Sequence, residues 1–359
     1  MTTTRPDRAV PSLFRTCGEH GRQPTRRAVL LGMGSLMLTG CSGPLTPPSF
    51  PPPARTRPLE VGVCLPEGPQ DRGSVQAYNA MVGSPAQWML LFCDWALEHP
   101  PWQALDAARG QGAVPILTWE PWQAPSTGEF PSPAVDQPRF ALLRIAAGEH
   151  DDHIRAWAQE LAHWGQDVVL RFAHEMNGNW YTWGAGVQGN TPEHYVQAWH
   201  HVRDIFAAAG ADNVRWCWAP NIPDGLTTEN SGSLMDHFPG PEAVDLLGLD
   251  GYNWGPAGPA GWIEPSALLH RGIQELRSLG TDLPIIITET ASAEEPEDGG
   301  AKAAWITQLF AYLQQQGDVR ATVWFHLDKE LDWRINSSLR AQTAYRNAVA
   351  QLGQEVMQK

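Results

Sequence analysis

Two glutamates in this chain are spaced and surrounded in ways that could do paired-carboxylate chemistry. Glu175 follows an apolar run in "LRFAHEMNGNWYTWG" (170–184), and Glu289 closes the run "LPIIITE" (283–289). Cleaving an acetal between sugars needs two such groups. One is protonated at rest and donates to the leaving oxygen, and the other is ionised and attacks the acetal carbon. Glu175 has Trp180, Tyr181 and Trp183 close in sequence, and apolar walls are expected to raise its pKa. Glu289 lies between Thr288 and Thr290, whose surroundings are expected to keep it ionised. A retaining reaction would need the two carboxyl groups about 5 Å apart.

Metal chemistry is the competing use of a His-Glu pair. The zinc motif HExxH sets two histidines one helical turn apart. Here the position four after His174 is Gly178, so the second ligand is missing. His150 and His153 in "EHDDH" read as a solvated helix start. Neither a metal nor a cofactor is expected.

The elements that would position the glutamates are legible as apolar runs at 59–65, 88–94, 113–119, 167–173, 213–219, 243–250, 283–289 and 320–326. Continuous rather than alternating apolar runs mark strands buried on both faces, as in parallel sheets. Helical patterns lie between them, several opening on proline or a capping residue and closing on glycine. The expected fold is α/β, a single (β/α)8 barrel over 59–359. A doubly wound open sheet is the alternative, but "CLPEGPQDRG" after the first strand lacks the GxGxxG nucleotide loop. In a barrel, chemistry sits at the C-terminal strand ends. Glu120, His174, Glu175, Asn221, Asp250, Tyr252, Glu289 and His326 all fall there.

Tryptophan is abundant, 17 residues against 6 tyrosines. Flat aromatic rings suit the C–H faces of sugars. Trp119, Trp122, Trp180, Trp183, Trp254 and Trp324 are the platform candidates, whereas Trp88, Trp157 and Trp218 are expected in packing. Glu120, Asn177 and Asn221 are candidates for sugar hydroxyls, and Arg171 for a buried holder of the catalytic end. Formal charge is -14, with a net +4 in residues 1–40 and near -18 in the remainder. So acidic a body has no electrostatic footprint for nucleic acid.

Residues 1–40 read as an export signal. Arg26-Arg27 precede an apolar stretch from Ala28 to Leu38, too short to span a membrane. "LTGC" then resembles a lipoprotein box ending at Cys41, the expected lipidation site, and the arginine pair resembles a twin-arginine signal. The proline-rich stretch 41–58 is expected to be a semi-rigid tether. An exported, membrane-anchored bacterial lipoprotein, periplasmic or at the cell surface and monomeric, is the expectation. The membrane is met through the lipid alone. Cys64 and Cys93 are expected as buried thiols, or as a disulfide if neighbouring strands bring them together.

"FAHEMNGNWYTWG", "IIITETAS", "DGYNW" and "TVWF" together resemble glycoside hydrolase family 26 of clan A, over roughly residues 59–350. The resemblance implies a retaining hydrolase with Glu175 as acid/base and Glu289 as nucleophile. It implies that His174 contacts the hydroxyl next to the reacting carbon, and that Tyr252 hydrogen-bonds the nucleophile. Trp324 would floor the reacting sugar's subsite, and Trp180 matches the tryptophan downstream of the acid/base. The family's substrates are β-1,4-mannan, mixed-linkage β-1,3-1,4-glucan and β-1,3-xylan. "HEMNGNWYTW" is nearer the glucanase branch, with Thr182 where that branch has proline; mannan and β-glucan stand nearly level. A catalytically inactive glycan-binding lipoprotein, expected to lack one carboxylate, and a hydrolase of bacterial exopolysaccharide are the alternatives.

Overall fold

The computed structural model describes residues 50–124, 136–223, 233–294 and 300–357. The export signal and Cys41 lie outside the described residues. Eight parallel strands close into one barrel: β1 (Glu60–Cys64), β2 (Trp88–Asp94), β3 (Val114–Glu120), β4 (Val168–Phe172), β5 (Val214–Trp218), β6 (Leu246–Asn253), β7 (Ile285–Ser292) and β8 (Val319–Phe325). The helices around them are α1 (Arg72–Val82), α2 (Trp102–Gly110), α3 (Leu142–Ala146), α4 (Asp151–Trp164), α5 (Pro192–Ala208), α6 (Pro265–Ser278), α7 (Gly300–Gln314) and α8 (Leu339–Met357). Between β5 and β6 the described residues carry only short 3₁₀ turns at Leu234–His237 and Pro241–Ala243.

The apolar runs become strands because each is packed on both faces. Inward residues fill the barrel, and outward ones meet the helices, as Leu249 does against Gly272 of α6. Helix ends follow local chemistry. The Asp71 side chain accepts from the Gly73 and Ser74 amides to open α1. Thr191 and His194 cap α5 reciprocally, with Pro192 at its first position.

Two strands run past their expected ends. β6 continues beyond Asp250 to Asn253, and β7 beyond Glu289 to Ser292. The cause is a bulge: Leu249 pairs with Ile287, but Asp250 pairs with Glu289, so Thr288 is an extra residue on β7. Side chains alternate along a strand, and partners in register share a face. Without the extra residue Glu289 would point at the helices. With it, Thr288 and Glu289 both reach Asp250's inward face, the re-aiming that bulges commonly perform beside active sites.

Residues 50–58, expected as the end of a tether, are docked on the barrel, and the compact unit starts at Phe50. Arg55 donates to the carbonyls of Leu313 (2.6 Å), Gln314 (3.0 Å) and Gln316 (2.6 Å), at and just past the negative end of α7. The Gln274 amide brackets Phe50, accepting from its N–H at 2.6 Å and donating to its carbonyl at 2.9 Å. Cys64 and Cys93 are free thiols. Cys64 is in register with Leu90, which offsets it along the strands from Cys93.

Candidate active site

The site is built at the C-terminal mouth of the barrel. β4 ends at Phe172, and the chain then passes through left-handed conformations at Ala173 (φ 46°) and Glu175 (φ 51°). Non-glycine residues rarely adopt these, and they persist only where neighbours fix them. Here the Ala173 amide donates to the Trp119 carbonyl at 3.1 Å and the Glu175 amide to the Ala219 carbonyl at 2.7 Å. The Trp183 indole donates to the His174 carbonyl at 2.6 Å. The kink thus brings His174 and Glu175, consecutive residues, both to the mouth.

Glu175 is buried, and each carboxyl oxygen has one neutral donor. The Trp180 indole N–H lies 2.6 Å from Oε2 and the Asn221 amide 2.7 Å from Oε1. Burial, followed by the negative charge of Glu289, lifts its pKa to about 7, while Arg171, Trp180 and Asn221 oppose the rise. Gly178 is required beneath this arrangement. A Cβ there would come within 2.6 Å of the Trp180 ring, so a larger residue would push the indole off Glu175.

Glu289 has charged and hydroxyl partners instead. Both terminal nitrogens of Arg171 donate to its Oε1, one at 2.6 Å, and the Tyr252 hydroxyl donates to Oε2 at 2.5 Å. Arg171 is fully buried and also pairs with Asp250 at 3.2 Å. Asp250 accepts from the Thr288 hydroxyl at 2.5 Å. Burial drives the Asp250 pKa well above the carboxylate range, with Arg171 opposing. Glu120 also faces this charge cluster; burial raises its pKa to about 8. His174 is buried, with its pKa well below the usual value through desolvation and then Arg171. Its Nε2 lies 3.1 Å from the Tyr181 hydroxyl, and its Nδ1 has no hydrogen-bond partner.

The structure therefore brings together Glu175, Glu289, His174, Glu120, Asn221, Tyr252 and Trp180. Asn177 has another task. Its side-chain amide donates to the Asn221 carbonyl and accepts from the Asn221 N–H, both at 2.9 Å, and so fixes the residue that touches Glu175. Trp254 is half-buried, edge-on to Trp333 at 5.0 Å and 6.4 Å from Tyr252. Trp119 and Trp324 are corrections to the expected platforms. Glu120 faces inward, so Trp119, one residue earlier, faces outward against Trp157 and Phe206. Phe325 pairs with the inward Cys64, and Trp324 accordingly packs against Trp305 and Tyr345. Trp122 and Trp183 are also buried, packing under Tyr181. Thr182, the departure from proline, donates its hydroxyl to the Pro121 carbonyl at 3.1 Å and ties the β4 loop to the β3 loop. Sequence reasoning missed Phe92, Phe325 and Lys329, which border the mouth. Counting back by two from Asp94 would have found Phe92.

The Trp180 indole is a donor to Glu175 as well as a wall. Trp180→Phe removes a bond that favours the carboxylate, so the Glu175 pKa should rise further. With Glu175 in the acid's role that the resemblance implies, the alkaline limb of kcat/KM should move up from near pH 7. A pH–rate profile in which that limb stays put or falls would contradict this role.

A parallel eight-stranded barrel with two buried carboxyl groups at its mouth is the architecture of the (β/α)8 glycosidases. Known proteins narrow the class. A family model described as Glycosyl hydrolase family 26 matches residues 113–274. Endoglucanase H of Acetivibrio thermocellus is 35% identical over 298 residues, 81% of this chain and 30% of that protein. A mannan endo-1,4-beta-mannosidase of Bacillus subtilis is 30% identical over 102 residues, 26% of this chain and 25% of that protein. The chain thus spans less than a third of either relative's length. A family 26 β-mannanase from Bacteroides ovatus superposes with a TM-score of 0.60 at 17% identity, covering 83% of this chain and 90% of that one. A Cellulomonas fimi endo-β-1,4-mannanase double mutant gives 0.60 at 17%, covering 82% and 70%. The chain belongs to glycosyl hydrolase family 26.

Proposed function

We propose that this chain is a retaining endo-β-glycanase acting on a neutral β-linked hexose polysaccharide, mixed-linkage β-glucan or β-mannan. The observation that carries the reading is the unlike support of the two glutamates. Glu175 is buried among neutral donors with its pKa near 7, and Glu289 is gripped by Arg171 and Tyr252. Glu175 gives its proton to the glycosidic oxygen as Glu289 Oε attacks the anomeric carbon. The C–O bond to the leaving chain breaks, and a glycosyl ester forms on Glu289. Glu175, now a carboxylate, takes a proton from water, which attacks the same carbon and releases Glu289. A catalytically inactive glycan-binding protein would have lost one of these carboxylates, and both stand in place. The similarity to Endoglucanase H over most of the chain supports glucan, and the shorter similarity to mannan endo-1,4-beta-mannosidases supports mannan.

The test is reducing-sugar release from lichenan, glucomannan, galactomannan and β-1,3-xylan, with proton NMR of the first-formed anomer. Release with retained configuration is expected from lichenan or a mannan. An inverted product would overturn the double displacement, and silence on every polymer would overturn the substrate class and favour an exopolysaccharide.

The same proposal extends to the N-terminal segment. The Arg26-Arg27 pair and "LTGC" support export as a lipoprotein anchored through Cys41. Labelled palmitate fed to expressing bacteria should appear on the wild-type chain and vanish in Cys41→Ser. Equal labelling of both would remove Cys41 from the scheme.

A further inference from the structure

We infer that Phe92 touches the reacting sugar and sets the preference between gluco- and manno-configured rings. The inference rests on the roles proposed for Glu175 and Glu289. Phe92 lies on β2 in register with Thr118, two residues before the Asp94–Glu120 pair, and so shares the inward face with Glu120. Its relative exposure is 36%, and it is the aromatic ring among the exposed large apolar side chains of the described residues. A phenylalanine placed for packing would be covered, as Phe172 is. An open phenyl ring inside a barrel mouth instead offers a bare face to whatever enters.

Its neighbours are the groups that surround the reacting carbon. The ring is edge-on to His174 at 5.9 Å and to Phe325 at 6.3 Å. The Arg171 guanidinium carbon lies 5.9 Å from its centroid, and that guanidinium holds the attacking oxygen of Glu289. Phe325 in turn meets the ring of Tyr252, the other group on Glu289, at 5.7 Å. The family resemblance implies that His174 contacts the hydroxyl on C2, the carbon next to the anomeric one, and a sugar so placed lays C2 against the wall made by His174 and Phe92. Nδ1 of His174 is enclosed and out of a sugar's reach, so the open part of that wall is a phenyl that can neither give nor accept a hydrogen bond. Glucose and mannose differ only in whether the C2 hydroxyl is equatorial or axial. One orientation turns the hydroxyl onto the ring, where it is left dry, and the other turns it away. Sites that leave a hydroxyl unpaired discriminate more strongly than sites that merely differ in shape.

The experiment compares wild type, Phe92→Ala and Phe92→Tyr on lichenan and on linear β-1,4-mannan. The ratio of the two kcat/KM values should change by about 10-fold or more in each variant, as expected for a lost or gained polar match. Melting temperature should stay close to wild type, because the ring is open to solvent; Phe92→Leu replaces the alanine variant if it does not fold. Both kcat/KM values moving together, with their ratio fixed, would overturn the inference. Should the wild type cleave neither polymer, the proposed function fails separately. Calorimetric binding of cellotetraose and mannotetraose to Glu175→Gln protein, with and without Phe92→Ala, then decides the matter. A changed ratio of Kd values supports the assignment, and an unchanged ratio or no binding refutes it.

Discussion

Glu289→Ala is expected to lower kcat on the preferred polymer by about 10⁴-fold, roughly 5 kcal/mol of barrier, because it removes the group proposed to form the glycosyl ester. Steady-state reducing-sugar release from that polymer would measure it, and an aryl β-glycoside serves as substrate for the azide experiment. Azide then separates the two glutamates by stereochemistry. In Glu289→Ala it can occupy the space of the lost carboxyl group, attack in its place and give an α-glycosyl azide. In Glu175→Ala the first step survives with a leaving group that needs no proton, and azide attacks the ester to give the β-anomer. Residual activity within ten-fold of wild type in Glu289→Ala would sink its assignment as nucleophile. An α-azide from both variants would contradict the division of roles.

The fold was legible because buried parallel strands leave continuous apolar runs, and eight of them reach this length only in a few architectures. The positions of Glu175 and Glu289 followed from the same runs. What stayed hidden depended on neighbours in space. α1 escaped because "RGSVQAYNAMV" is short and buries only Val75, Tyr78 and Val82, and its start is marked by a single aspartate. The β7 bulge escaped because register belongs to two strands, not one. A strand read in isolation gives Glu289 a place but not a direction. Trp119 and Trp324 were misassigned for a related reason. Each sits one residue from an inward side chain, Glu120 and Phe325, and composition does not reveal the phase of alternation. Asn177 looked like a hydroxyl binder because an amide suits sugars and loop backbone equally well. Its bonds to Asn221 decide between these uses.

Arg171→Met tests the charge balance beneath the site. Arg171 is fully buried between Glu289 and Asp250, and nearby Glu175 also feels its charge. Without it two buried carboxyl groups face each other uncompensated. Removing one partner of a buried ionic cluster typically costs about 3–5 kcal/mol, and that loss is expected at neutral pH. The sign of its pH dependence follows from proton binding. The folded pKa of Asp250 already lies above its unfolded one through burial, and the variant loses the cation that opposes that rise. Asp250 therefore takes up a proton more readily folded than unfolded, and the variant loses stability as pH rises through that window. Its thermal midpoint should approach the wild-type value on acidification and diverge from it towards pH 8. Arg171→Lys keeps the charge but loses the fork that spans both carboxylates, so it should restore stability more than rate. The double variant Arg171→Met with Asp250→Asn removes the repulsion while leaving Glu289 without its cation. If Arg171 served the fold alone, this double variant would regain activity along with its melting temperature. Because Arg171 also grips the Glu289 carboxyl group in place, stability should return and activity should not.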